Sequence, residues 1–357
     1  MTTAAEILDR EPGAGSRTVA VHFIRALIGA VEQLGVDVAA VLERAGIPHE
    51  VLEFDRARLT IGQACAVIRK LWQVTGDDLF GLGAHPLPLG SLRLVTLGLI
   101  QLRDLGSVLV RLCEFSRVLP GLPSARLRIA ETGSRLELAT ARSAADQLAT
   151  EIVLFTLCRF AGWLTGTTVR VDRVELPHPE PLRPIEYDLV FGCPLRFDAA
   201  SAALLFDTGL LAVPVVRTEA ELLAFLRRSP FGLLTGRDGD PGIAGEVRKL
   251  LERGLCEGWP TSEEVAARLS FSLQHVRRLL REEGTSISQL KENILRDAAI
   301  ASLVRGDEPI SALSQRLGFS EPSAFRRAFR RWTGSSPGSY RRVHELSLAG
   351  RADRPGW

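Results

Sequence analysis

Closely spaced cysteine pairs, a charge excess of one sign and an unbroken apolar run are all missing from this chain, and each absence removes a class of protein. The five cysteines, Cys65, Cys113, Cys158, Cys193 and Cys256, never form a C-x-x-C and are odd in number. A disulfide scaffold and a cysteine zinc site are therefore poor fits, and buried thiols in a reducing cytoplasm are expected. Lys+Arg 44 against Asp+Glu 42 leave +2, too near neutrality for a chain that coats nucleic acid along its whole length. The opening MTTAAEILDREPGAGSR carries acids and no apolar h-region, unlike a secretory signal. The longest apolar stretch, Leu92 to Leu112, is broken by Arg93, Arg103, Asp104 and Arg111. Each would cost about 2.5–3.5 kcal/mol at mid-bilayer, so no membrane partner is expected.

Catalytic signatures are missing too. There is no G-x-S-x-G, no H-E-x-x-H and no phosphate-binding G-x-x-x-x-G-K-[ST], and Gly81-Leu82-Gly83 lacks the rest of a dinucleotide fingerprint. His85 and His178 stand beside prolines with no second ligand at metal spacing. Neither an enzyme, nor a cofactor, nor a bound metal is expected, and Trp72 and Trp163 read as core residues.

What is present is a folded composition, 46% hydrophobic and 24% charged over 357 residues, enough for about two domains. The Gly, Pro and Asp of SPFGLLTGRDGDPG (229–242) are linker chemistry. Residues 1–240 hold 25 basic against 28 acidic side chains, whereas 241–343 hold 17 against 12; the basic surface is local to the second part. In the first part, helical spacing over 19–34, 37–45, 61–74 and 91–118 precedes an alternating hairpin (126–141) about Thr132-Gly133. A long apolar helix (145–164) and an alternating strand (169–176) follow. The expected class is an α+β domain, preceded by a tail (1–18), spanning 19–228 and followed by the linker (229–242). An all-α domain (243–343) and a C-terminal tail (344–357) complete the chain.

The all-α part repeats itself. Arg268-Leu269-Ser270-Phe271-Ser272 matches Arg316-Leu317-Gly318-Phe319-Ser320, and Arg277-Arg278 matches Arg326-Arg327. Each copy predicts a short helix, a tight corner and a second helix with arginines on one face, that is, two helix-turn-helix units. Thr261 and Glu264 form a capping box, Asp307 with Pro309 signals a helix start, and Ser272 and Ser320 are expected caps with Pro322 in the first turn. Gly318 suits the left-handed corner; Ser270 suits it less, which predicts a slightly different turn. Val265, Leu269, Val276, Leu279 and Leu280 can close one core, and Leu313, Leu317, Phe325, Phe329 and Trp332 another. Arg326, Arg327, Arg330 and Arg331 make two like-charged i,i+4 pairs that a polyanion would relieve. A connecting helix over 288–306 is roughly 27 Å long, so the two units could enter successive major grooves, one helical turn apart.

Residues 243–343 resemble the DNA-binding domain of the AraC/XylS family of bacterial transcription regulators. The signature is ISALSQRLGFSEPSAFRRAFRRWTGSSPGSYRR. The resemblance implies base contacts by Gln274, Arg277 and Arg278 in the first unit and by Ser323, Arg326 and Arg327 in the second, with Arg326 standing where many members carry a small residue. Arg281, Arg330 and Arg331, nearer the helix ends, are expected on phosphates, which position a protein while base contacts specify. Residues 20–210, with Gly35-Val36-Asp37-Val38 and GDDLFGLGAHPLPLG, resemble the family's arabinose-binding-like effector domain; this implies sensing or dimerisation, not that arabinose is the ligand. The expected partners are double-stranded DNA, a small-molecule effector, RNA polymerase and a second copy in a homodimer. The alternative is a DNA-binding regulator whose first domain only oligomerises.

Overall fold

The computed structural model describes residues 18–352 other than 55, 132, 140–142, 168, 181–190, 192, 231–232 and 235–241. Most of the expected linker, the expected N-terminal tail apart from Thr18, and the turn residue Thr132 lie outside the described residues.

The described residues open with β1 (Thr18–Ala20), α1 (Val21–Glu32), α2 (Val38–Ala45), a 3₁₀ turn (His49–Glu53), β2 (Arg58–Thr60) and α3 (Ile61–Thr75). A helix was expected from Val19; instead residues 18–20 pair antiparallel with β2, Val19 opposite Leu59. Asp37 starts α2 by accepting from the Ala40 N–H at 3.1 Å, and Gly46 ends it in the left-handed region at φ 68°. Next come α4 (Ser91–Leu99), α5 (Leu105–Val118), β3 (Ala125–Ala130), β4 (Gly133–Leu138), α6 (Ala144–Thr165), β5 (Arg173–Glu175), β6 (Leu195–Arg196), β7 (Ala202–Phe206) and α7 (Glu219–Arg228). Seven helices complete the described residues: α8 (Ile243–Glu257), α9 (Ser262–Arg268), α10 (Leu273–Glu282), α11 (Ile287–Arg305), α12 (Ile310–Arg316), α13 (Pro322–Thr333) and α14 (Pro337–Ala352).

Two compact units result. One draws on Met1–Ile28, Asp37–Lys70 and Ile243–Trp357, the other on Gly29–Val36 and Leu71–Gly242. The first unit thus unites the beginning of the chain with its all-helical end.

The second unit is built on a five-stranded sheet ordered β3-β4-β7-β5-β6, antiparallel except for β5 beside β6. Alternation sends Leu136, Leu138, Val174 and Leu204 into the core. The opposite face carries Arg135, which bonds Glu137 at 2.8 Å and Glu175 at 2.5 Å. The strand expected over 169–176 is confined to Arg173–Glu175, the residues that pair with β6 and β7; backbone pairing, not alternation alone, sets strand length. α6 is long and apolar enough to cross a membrane by length and composition, yet its Trp163 stacks on Phe225 of α7 and its Phe160 packs tilted against the same ring. Trp72 likewise stacks on Phe80, 5.8 Å between centroids.

The GDD sequence proves to be a backbone tie. Asp77 accepts from the N–H groups of Leu79 and Leu87, both at 2.7 Å, and Asp78 from those of Gly90 and Leu92 at 3.2 and 2.7 Å. Burial raises the Asp78 pKa above its ordinary value against the lowering effect of those bonds. Cys65 and Cys113 are buried, and desolvation pushes the Cys65 thiol up to about 12.

Candidate nucleic-acid interface

The two repeats fold into the same corner. In the first, the N–H of Ser270 bonds the Ala267 carbonyl at 3.0 Å and that of Phe271 the Ala266 carbonyl at 3.1 Å. In the second, Gly318 bonds Gln315 at 2.9 Å and Phe319 bonds Ser314 at 3.0 Å. Ser270 takes φ 59° and Gly318 φ 82°. The different turn expected for Ser270 is therefore not seen: the serine adopts the left-handed conformation, at a cost on the order of 1 kcal/mol, and its N–H makes the same bond, three residues back, as that of Gly318.

Helix starts follow local chemistry with two exceptions. Thr261 and Glu264 close their capping box, and Ser272 accepts from the His275 N–H at 3.2 Å to open α10. Ser320 does not cap α13; Pro322 sets the first helical residue, so Glu321 holds the N-cap position without a side-chain bond. Pro309, not Asp307, precedes α12, and Asp307 instead pairs with Arg305 at 2.8 Å.

One helix runs through both cores. Leu290 and Ile294, near the start of α11, pack with Val247, Leu251, Val265, Val276 and Leu280. Ala298, Ile300 and Leu303, further along it, pack with Leu313, Leu317, Phe325, Phe329 and Tyr340. Leu255 touches both clusters. Leu269 and Trp332 are only partly buried at the edges of these cores, while Leu279 is half-exposed on α10. With 19 residues, α11 is about 28 Å long, and burial of both ends in separate cores makes it a rigid spacer.

All nine arginine, glutamine and serine candidates are exposed. Gln274, Arg277, Arg278 and Arg281 share one face of α10 at i, i+3, i+4, i+7; Ser323, Arg326, Arg327 and Arg330 do so on α13, with Arg331 one turn beyond Arg327. Arg278 is tied to Glu282 at 2.8 Å and Arg331 to Glu292 at 2.5 Å. Such exposed pairs are worth about 0–1 kcal/mol and yield readily to a phosphate. Arg277 and Arg281 also line an open cavity of about 370 Å³ with Ser262, Thr285, Ser286 and Ser288, beside the start of α11. The arrangement can present two cationic ridges to a polyanion.

Residues 35–215 match the family model described as the arabinose-binding domain of AraC transcription regulators, and residues 265–343 match a helix-turn-helix domain. The chain belongs to the AraC family of transcription regulators. Among relatives, this AraC-family chain is 27% identical over 328 residues to the ornithine utilization regulator of Pseudomonas aeruginosa, covering 90% of this chain and 96% of the relative. It is 37% identical over 100 residues to the regulator VqsM of the same species, 28% of this chain and 30% of that one. The transcriptional activator NphR of a Rhodococcus species is 34% identical over 98 residues, 28% and 29% of the two chains.

Sequence reasoning missed three features of this AraC-family regulator. Asp297 is buried on α11; its signal was an acid on the same helical stripe as Ile294 and Ala301. Glu292, which orders Arg331 and also accepts from Trp332 Nε1 at 2.8 Å, had no local signal. His178 stands in a loop, as expected, but places Nε2 3.0 Å from Glu151 of α6; the carboxylate raises the imidazole pKa against the opposing effect of burial. Among the described residues no group of three His, Cys, Asp or Glu could hold a metal ion.

Proposed function

We propose that this protein is a sequence-specific transcription factor that controls bacterial promoters in response to a small-molecule effector. The observation that carries the reading is the pair of exposed arginine ridges on α10 and α13, held by one helix rooted in both cores. In this reading Gln274, Arg277, Arg278, Ser323, Arg326 and Arg327 face base edges, and Arg281, Arg330 and Arg331 grip phosphates. The arabinose-binding-like region supports the effector, whose binding would favour one arrangement of the protein by its differential affinity. RNA polymerase and a second copy of the chain are the further partners of this reading.

Footprinting tests the reader: two successive major grooves per monomer are protected, and Arg278→Ala or Arg327→Ala costs on the order of 1–3 kcal/mol while relaxing preference at one base position. Arg281→Ala weakens all sequences alike. Equal losses on selected and random DNA for all three variants would overturn the assignment of roles. Mass spectrometry of small molecules released from the purified full chain tests the sensor.

A further inference from the structure

We propose that Thr18 and Arg58, at the opposite end of the chain from the helix-turn-helix units, are positioning residues for DNA reading. They hold Asp297 at the junction of the two cores and so set the spacing and angle of the two recognition helices. The inference rests on the DNA-reading function proposed above.

Asp297 lies on α11 between Ile294, which belongs to the first core, and Ala298, which belongs to the second. Its side chain is only 5% exposed, and a carboxylate so buried persists only when surrounded by donors and opposite charge. Those come from four elements. Thr18 Oγ1 of β1 donates to Oδ1 at 2.6 Å. Arg248 of α8 reaches Oδ2 at 3.4 Å and Arg296 of α11 reaches Oδ1 at 3.2 Å. Arg58 of β2 stands 4.0 Å from Oδ1 and donates to Thr18 Oγ1 at 2.7 Å and to the Thr18 carbonyl at 3.0 Å. Burial alone would raise the Asp297 pKa; Arg296, Arg58 and Arg248 outweigh it and hold the carboxyl below its ordinary value.

The same short segment reaches the second helix-turn-helix core. Tyr340 of α14 donates its hydroxyl to the Arg58 carbonyl at 2.5 Å, and Arg56 Nη1 lies 3.5 Å from the Arg331 carbonyl in the last turn of α13. Residues 56–58 therefore touch α11, α13 and α14, while Arg248 belongs to α8, whose Val247 and Leu251 pack in the first core. An apolar seam at this junction could slide or rotate at little cost. A carboxylate with directional partners on four elements permits one arrangement, the registry role for which buried ion clusters are best attested. Thr18 and Arg58 thus act through α11 and not by touching DNA.

The test uses the full-length chain and the duplex that the wild-type protein selects from a randomised pool, with versions carrying one base pair inserted or removed between the two protected grooves. The wild-type protein is expected to disfavour the respaced duplexes by about tenfold or more. Arg58→Ala and Thr18→Val are expected to bring the ratio to within about threefold, and Arg58→Lys to restore most of it. A loss of folded protein lowers binding to every duplex alike and leaves the ratio untouched, so the ratio separates positioning from mere stabilisation. Should Arg58→Ala not fold, Thr18→Val, which removes a single hydroxyl, carries the test. Wild-type ratios in both variants would overturn the proposal while leaving the reader intact. A wild-type protein that does not prefer the selected duplex over a scrambled one would sink the reader, and this proposal with it.

Discussion

Acidification should loosen the C-terminal helix through a single histidine. His344 on α14 is 3% exposed, its ring 5.1 Å from that of Tyr340, and its Nε2 has no hydrogen-bond partner among the described residues. Desolvation lowers its pKa from 6.5 to about 4. The folded state therefore favours the neutral imidazole, and its stability contribution is complete above pH 6.5 and lost as pH falls toward 4. At pH 5 the loss is about 2 kcal/mol relative to pH 7.5, growing to about 3 kcal/mol below pH 4. For a unit of this size 2 kcal/mol is about 4–8 °C in Tm. Thermal unfolding of the wild-type chain and of His344→Gln at the two pH values measures the term: the other titrating groups cancel in the comparison, and the variant should lose less on acidification by that amount. Equal losses would refute the reasoning, since they would mean that the histidine titrates alike folded and unfolded. Because Tyr340, one helical turn earlier, donates to the Arg58 carbonyl, the same protonation would reach the Asp297 cluster.

Other outcomes follow from single sites. Ser270→Gly should stabilise the first helix-turn-helix unit by about 0.5–1 kcal/mol, because glycine accepts φ 59° without the Cβ clash; a urea melt checks it, and a loss of stability would show that the Ser270 corner is unstrained. Phe329→Ala should cost about 3–5 kcal/mol, since the ring is fully buried against Phe325, Trp332 and Tyr340; hydrogen exchange along α13 reports it. Glu292→Gln keeps an acceptor for Trp332 but releases Arg331 from its ion pair. DNA affinity should rise on all sequences by up to about 1 kcal/mol, because the ion pair no longer has to be broken before Arg331 meets its phosphate. Unchanged affinity together with an unchanged effect of Arg331→Ala would place Arg331 away from the duplex.

Much of the reader was legible along the chain because its signals are local. Capping pairs such as Thr261 with Glu264 act across three residues, amphipathic spacing acts across a few turns, and the repeat displayed each unit twice. The same locality explains the errors. Ser320 and Asp307 are good capping residues in isolation, but Pro322 and Pro309 fix the helix starts, and Ser270, less suited than glycine to a left-handed corner, adopts it all the same. Short strands were less legible than helices: residues 18–20 look helical until β2 offers a pairing edge.

The sequence by itself determined the two arginine-faced helices, the connector between them and the chain's place in the AraC family, since each is written in neighbouring residues. Only the tertiary structure decided that β1 and β2 pack beside Asp297 between the two helical cores. Thr18 and Asp297 are 279 positions apart, and Arg58 and Tyr340 are 282 apart. No propensity or periodicity reaches that far; a buried carboxylate draws its partners from whatever elements the fold brings beside it, because leaving it unpaired costs more than any local preference supplies.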